Sequence, residues 1–152
     1  MKKLLIGLIV VVVLTVLYYL ISPLWRTIKL AEPAPAPISN ERDIQVATST
    51  LTVLSGDFVS AVHDVSGRAM IVKTEKGDVL RFENFKTLNG PDLRIYLSVD
   101  RDAKDFVDLG EIRATEGNVN YDIPKGTDTA KYKYVLVWCR AFRVLFGYAA
   151  LQ

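Results

Sequence analysis

The sequence predicts an all-β fold, a sandwich or barrel-like antiparallel domain of about 8–10 short strands, preceded by one transmembrane helix. Three observations carry this reading. From Val46 onward, short β-branched and aromatic segments alternate with turn signals about every 8 to 12 residues, the pattern of sandwiches and barrels. The run Tyr134-Val135-Leu136-Val137-Trp138-Cys139-Arg140, continued through residues 141–149, is the longest apolar and aromatic stretch outside the N-terminal segment. It lacks the spacing of polar positions that a surface helix shows, so it reads as strand buried on both faces. Finally, an uninterrupted apolar segment fills residues 4–21 directly after Lys2-Lys3.

That N-terminal segment is about 27 Å long at helical rise, close to the thickness of a bilayer's hydrocarbon. Tyr18, Tyr19 and Trp25 cluster at its far end, where amphipathic rings sit at the headgroup level, and Ser22-Pro23 offers a stop. A cleaved signal peptide is the rival reading. Its apolar region is usually shorter, and the one small-x-small site, Ala34-Pro35-Ala36, is followed by Pro37, which hinders cleavage. No cysteine follows the apolar run, so a lipoprotein anchor is excluded. Residues 1–25 therefore read as a signal-anchor, the N-terminus cytoplasmic and the domain extracytoplasmic, at a cell membrane, in the periplasmic or extracellular space.

Residues 26–45 read as a Pro/Ala-rich linker. Glu32-Pro33-Ala34-Pro35-Ala36-Pro37 favours extended polyproline conformation and acts as a spacer of about two nanometres at most. Residues 46–152 form the β domain. Its candidate strands are residues 51–54, 58–62, 69–73, 79–85, 93–99, 106–109, 111–114 and 120–123, then the terminal pair. Leu93, Ile95, Leu97 and Val99 alternate onto one face. Residues 125–132 suit a helical turn, with Thr127 and Asp128 as caps.

The chain has 152 residues and a formal charge of +2. Four of its 19 basic and one of its 17 acidic side chains fall in the first 37 residues, which leaves 15 against 16 in the domain. A near-neutral domain without a basic stripe is not built for nucleic acid. One cysteine excludes an intramolecular disulfide, and one histidine excludes a Cys/His zinc site or a type-one copper site from this chain alone. The acidic run from Asp100 to Asp108 fails the EF-hand pattern, with Lys104 fifth and Asp105 where glycine is needed. Hydrolase elbows, zinc-protease motifs and phosphate loops are absent, so no enzyme class is indicated.

Two residues remain as candidates for chemistry. Cys139, on an apolar strand, is either a small core hydrophobe or a redox thiol or ligand; the second reading needs positive charge nearby, from Arg143 across a tight turn. His63, between two strands and beside Asp64, is either a polar loop residue or, with Cys139, a ligand to a prosthetic group such as non-covalent haem.

Several motifs in order resemble the DM-thirteen domain family. They are Gly56-Asp57-Phe58, His63, Ser66-Gly67-Arg68-Ala69, Leu80-Arg81-Phe82-Glu83-Asn84-Phe85, Asn89-Gly90-Pro91-Asp92-Leu93, Asp108-Leu109-Gly110-Glu111-Ile112, Gly117, Tyr121-Asp122-Ile123-Pro124 and Trp138-Cys139-Arg140. The resemblance runs from about Leu54 to Leu151. It implies a mostly β domain of membrane or secreted proteins, found with DOMON domains in animal multidomain chains and proposed to transfer electrons. The family's cysteine, Cys139 here, is its proposed redox element, a free thiol or a ligand. With no DOMON or cytochrome module in this chain, a redox partner must come from a separate protein. The expected function is a membrane-anchored extracytoplasmic domain with a redox or electron-transfer role centred on Cys139; the alternative is a non-catalytic envelope binding module with a structural cysteine.

Overall fold

The computed structural model describes residues 2–21, 27–38 and 54–152, with the side chains at positions 5 and 19–21 outside the described set. The candidate strand at 51–53, the Ser22-Pro23 stop and Trp25 also lie outside it. Helix α1 (Lys2–Ile21) carries the apolar segment, and its described apolar side chains are exposed. Among the described residues no helix is long and apolar enough to cross a membrane. The expected transmembrane helix is therefore not established by the fold.

Nine strands follow: β1 (Lys29–Ala31), β2 (Ser55–Ser60), β3 (Val65–Thr74), β4 (Gly77–Thr87), β5 (Leu93–Ser98), β6 (Phe106–Glu111), β7 (Glu116–Asp122), β8 (Tyr134–Cys139) and β9 (Val144–Ala150). They form one sheet in the order β1-β7-β4-β3-β2-β9-β8-β5-β6, a curled half-barrel. Every pairing is antiparallel except β1 with β7. The all-β class and the barrel-like curl stand; the sandwich alternative gives way to a single sheet. The ladder slips between Ser66 and Arg68, Phe82 and Phe85, Arg94 and Tyr96, and Val137 and Trp138. Each such bulge bends its strand and raises the local twist, which lets one sheet wrap its own interior.

The bulge in β4 shows how sequence sets the core. Asn84 takes a positive φ of 49° and its amide donates to Asn118 Oδ1 at 2.9 Å. The extra residue turns both Phe82 and Phe85 inward, where they meet at 4.9 Å between ring centres. Phe58 and Tyr121 close around Phe82 at 5.0 and 5.2 Å. Ile95, Leu97, Val119, Val135 and Val137 complete a fully buried interior. The helical turn expected near residue 128 forms, with Asp128 Oδ1 accepting from the amides of Ala130 and Lys131.

Strand β1 falls within the segment that sequence reads as linker. Ile28 N donates to Thr115 Oγ1 at 2.8 Å, Glu32 N donates to Asn118 O, and the Glu32 carboxylate accepts from Asn120 N at 2.6 Å. The buried Arg81 guanidinium donates to the carbonyls of Glu32 and Pro33 and to Asn120 Oδ1, and its Nε to Glu83. A buried cation needs this full set of partners. Residues 28–33 are thus part of the sheet's edge.

Candidate functional site

Antiparallel registers place alternate loops at opposite ends of the sheet. Loops 61–64, 88–92, 112–115 and 140–143 gather at one end, fixed by the pairs Val65↔Thr87, Leu93↔Cys139, Cys139↔Val144 and Lys86↔Glu116. Both sequence candidates lie there. Cys139 is the last residue of β8, on the same face as Val135 and Val137, and is completely buried.

Its cover is the turn 89–92. The Cys139 thiol donates to Pro91 O, with 3.0 Å between sulfur and oxygen. The neighbouring Arg140 holds the turn down twice: its amide donates to Asp92 O at 3.0 Å and its Nε to Asp92 Oδ2 at 2.6 Å. That bond to the Asp92 carboxylate raises the Arg140 pKa above its ordinary value. Asp92 sits in the left-handed region, φ 56°, a conformation Asp tolerates better than most residues. The carbonyl facing the sulfur suits a protonated thiol, which has a hydrogen to donate.

His63 is half-buried at the neighbouring loop. Its ring packs on Phe146 at 4.1 Å between centres, and its amide donates to Phe146 O. Phe146 also lies against the turn that covers Cys139, since a Cβ on Gly90 would stand 3.0 Å from the Phe146 ring. The sheet thus brings His63 and Cys139 to one end with Phe146 and the turn as intermediaries; among the described residues no hydrogen bond or ring contact joins the two directly.

Arg143, which the sequence suggests could lie beside Cys139, takes a positive φ of 55° in the β8–β9 turn and points to solvent; Val144 is the residue opposite Cys139. From sequence, Arg140 faces away from the cysteine and the turn 89–92 is ordinary turn chemistry. Their pairing across 48 residues leaves no local signal, although Asp92 and Arg140 each lie in a motif that carries the family resemblance.

The site does not fit a prosthetic group. A haem or metal ligand needs an open face, and the Cys139 sulfur is enclosed by the core and capped by Pro91 O. Among the described residues no cluster of three or more His, Cys, Asp or Glu is placed to hold a metal ion. In the 100–108 loop the carboxylates are otherwise engaged: Asp100 accepts from the amides of Asp102 and Lys104, Asp105 binds Lys131 and Tyr132, and Asp108 binds Arg94. The Asp102 and Asp105 carboxyls are held below the usual range by Lys104 and by Lys131 with Tyr132.

No curated protein and no solved structure matches the chain. One family model does, described as Electron transfer DM13, over residues 57–151. It takes in the turn 89–92, Cys139 and Arg140, and His63 with Phe146, as well as eight of the nine strands in whole or part. On that match across most of its length, the chain belongs to the DM13 electron-transfer domain family.

Proposed function

We propose that this is a membrane-anchored, extracytoplasmic electron-transfer domain whose redox group is the Cys139 thiol, closed over by the turn 89–92. The observation that carries the reading is the clasp: Arg140, next in sequence to the cysteine, fastens the turn whose carbonyl caps the sulfur. Opening that turn breaks the cap and the clasp and lifts Gly90 from the Phe146 ring, and it exposes the thiol while the strand ladders stay in place. With one cysteine per chain, the chemistry available is exchange with a disulfide on a separate partner protein. Cys139 sulfur attacks one partner sulfur, the partner S–S bond breaks, and a mixed disulfide forms. The other partner sulfur leaves with the electron pair and takes up the proton that the Cys139 thiol gives up. A thiol of a second partner protein, the reductant, then attacks the first partner's sulfur in the mixed disulfide: a new S–S bond joins the two partners, the bond to Cys139 breaks, and the Cys139 sulfur leaves with the electron pair and takes up that thiol's proton, so Cys139 is a thiol again.

The anchor is supported by α1. Its described apolar side chains are exposed on every side, and a helix without a polar face belongs in a non-aqueous setting. Lys2 and Lys3 at its start favour a cytoplasmic N-terminus. A second reading, a non-catalytic envelope binding module, draws on one observation: Cys139 packs within the core cluster like any small apolar residue.

Disulfide exchange of the full chain in detergent micelles separates the two. If the thiol is gated, Arg140→Ala speeds mixed-disulfide formation several-fold while the melting midpoint stays put. Reaction only at the rate of global unfolding, in both proteins, would reduce Cys139 to a packing residue.

A further inference from the structure

The four loops at the Cys139 end differ from those at the other end in what they show to solvent. Val62 is 65% exposed, Leu88 56% and Phe142 70%, each in a different loop. Ile28, docked beside Thr115 at the same end, is 44% exposed. The loops 75–76, 99–105 and 123–133 at the far end carry no exposed large hydrophobic residue among the described ones. They present Glu75, Lys76, Arg101, Asp102, Lys104 and Lys125 instead. Outside α1, the remaining exposed apolar residues are Val59 on β2 and two at the far end, Phe106, which stacks on Tyr96 at 4.1 Å, and Ile38, whose amide donates to Lys73 O; both of these are 40% exposed. Single exposed hydrophobics are ordinary; four at one end, three of them more than half exposed, against two less exposed ones at the other, mark a surface that meets something apolar.

The chain's path says what that is. Strand β1 runs parallel to β7, so the polypeptide joins the sheet at the Cys139 end and travels away from it. Helix α1 ends at Ile21 and the docked segment begins by Ile28, with Thr27 just before it. The six Cα steps from position 21 to 27 span about 20 Å at full extension. Strand β3, ten residues long, rises about 33 Å, or about 25 Å at a barrel-like tilt near 40°. A tether of that length cannot reach from a membrane-held helix to a domain standing on its far end. It does reach a domain standing on its near end. The Pro-rich segment does not lift the domain, because residues 28–33 are already committed to the sheet edge.

We infer that the Cys139 end rests on the bilayer, with Val62, Leu88, Phe142 and Ile28 dipping into the interfacial layer. This rests on the anchored reading above. Shallow apolar insertion of loop tips is the geometry of interfacial binding, and exposed basic side chains beside them meet anionic headgroups. Arg143 is exposed and, among the described residues, makes no ion pair, so its guanidinium is available at that level. The turn that covers Cys139 thereby opens toward the membrane surface rather than bulk solvent.

The test places a fluorescent label at each end of the full chain, through Phe142→Cys or Lys104→Cys, reconstituted in protein-free vesicles of phosphatidylcholine and phosphatidylglycerol. Both labelled chains also carry Cys139→Ser, and the Cys139→Ser chain with no introduced cysteine serves as the blank. Lipids with a quencher attached near the headgroup should quench the label at position 142 several-fold more than that at 104. The result should persist at one chain per nanodisc, which removes a second copy as the covering partner. Equal quenching at the two positions, or none at 142, in chains that float with the vesicles overturns the orientation and leaves the anchor standing. Chains that fail to float overturn both.

Discussion

Gly117 is where the sheet edge is most exposed to a single methyl group. It lies in β7 at φ +121°, and a Cβ there would stand 1.9 Å from the backbone oxygen of Leu30 in β1. Gly117→Ala therefore has two effects. The left-handed backbone costs about 1–2 kcal/mol for a residue with a Cβ. The overlap with Leu30 O is backbone against backbone, so β1 must leave β7. That forfeits the bonds that Ile28 and Glu32 make with Thr115, Glu116 and Asn118, each worth about 0.5–1.5 kcal/mol. The four bonds and the strain together give a loss of about 3–8 kcal/mol, enough to lower the melting midpoint by more than about 10 °C in a domain of this size. Gly110 is the control. It has φ +109° with nothing within 4 Å of a built Cβ, so Gly110→Ala carries the strain alone, about 1–2 kcal/mol. Denaturant melts of both variants, with amide exchange at Leu30 and Glu32, decide the matter. Equal losses in the two variants, or unchanged protection of Glu32 in Gly117→Ala, would refute the argument that this glycine exists to admit β1.

Three further outcomes are expected. Tyr121 is held neutral by burial, which pushes its pKa up to about 12 despite the Arg113 amide donating to its oxygen. The folded phenol keeps its proton to higher pH than the unfolded one, so its stabilisation is complete below pH 10 and is lost as pH rises through about 12, by about 2–3 kcal/mol; Tyr121→Phe should flatten that limb of an alkaline denaturation curve. Phe82→Ala should destabilise by about 3–5 kcal/mol, since the ring is wholly buried among Phe58, Phe85 and Tyr121, and an unchanged urea midpoint would contradict that packing. Thr87→Val should raise stability by about 1 kcal/mol, because among the described residues Thr87 Oγ1 is buried without a hydrogen-bond partner; a lower midpoint would show that the hydroxyl is satisfied.

Strands with two readable faces are legible in the amino-acid sequence alone. Leu93, Ile95 and Leu97 alternate inward as expected, and Val135, Leu136, Val137 and Cys139 are buried, as an unbroken apolar run implies. Strand β1 is not legible. Three residues beside a proline-rich stretch carry no period, and the feature that receives them is a glycine 87 positions away in β7. The single curled sheet is hidden for a similar reason: a bulge such as that at Asn84 shifts the inward face from Phe82 to Phe85, which sequence alternation alone reads as noise. At the site, Cys139 and His63 stand out by being the sole residues of their types. The clasp does not, because Asp92 and Arg140 are common residues whose meeting depends on the register of β5 with β8.

The most direct test of the account is the rate of Cys139 disulfide exchange in the native full chain, measured beside the unfolding rate of the same sample. A gated redox thiol reacts faster than the domain unfolds, and faster again when Arg140→Ala removes the side-chain half of the clasp. Exchange that never outruns unfolding, with or without Arg140, would contradict the claim that Cys139 carries electrons in this fold.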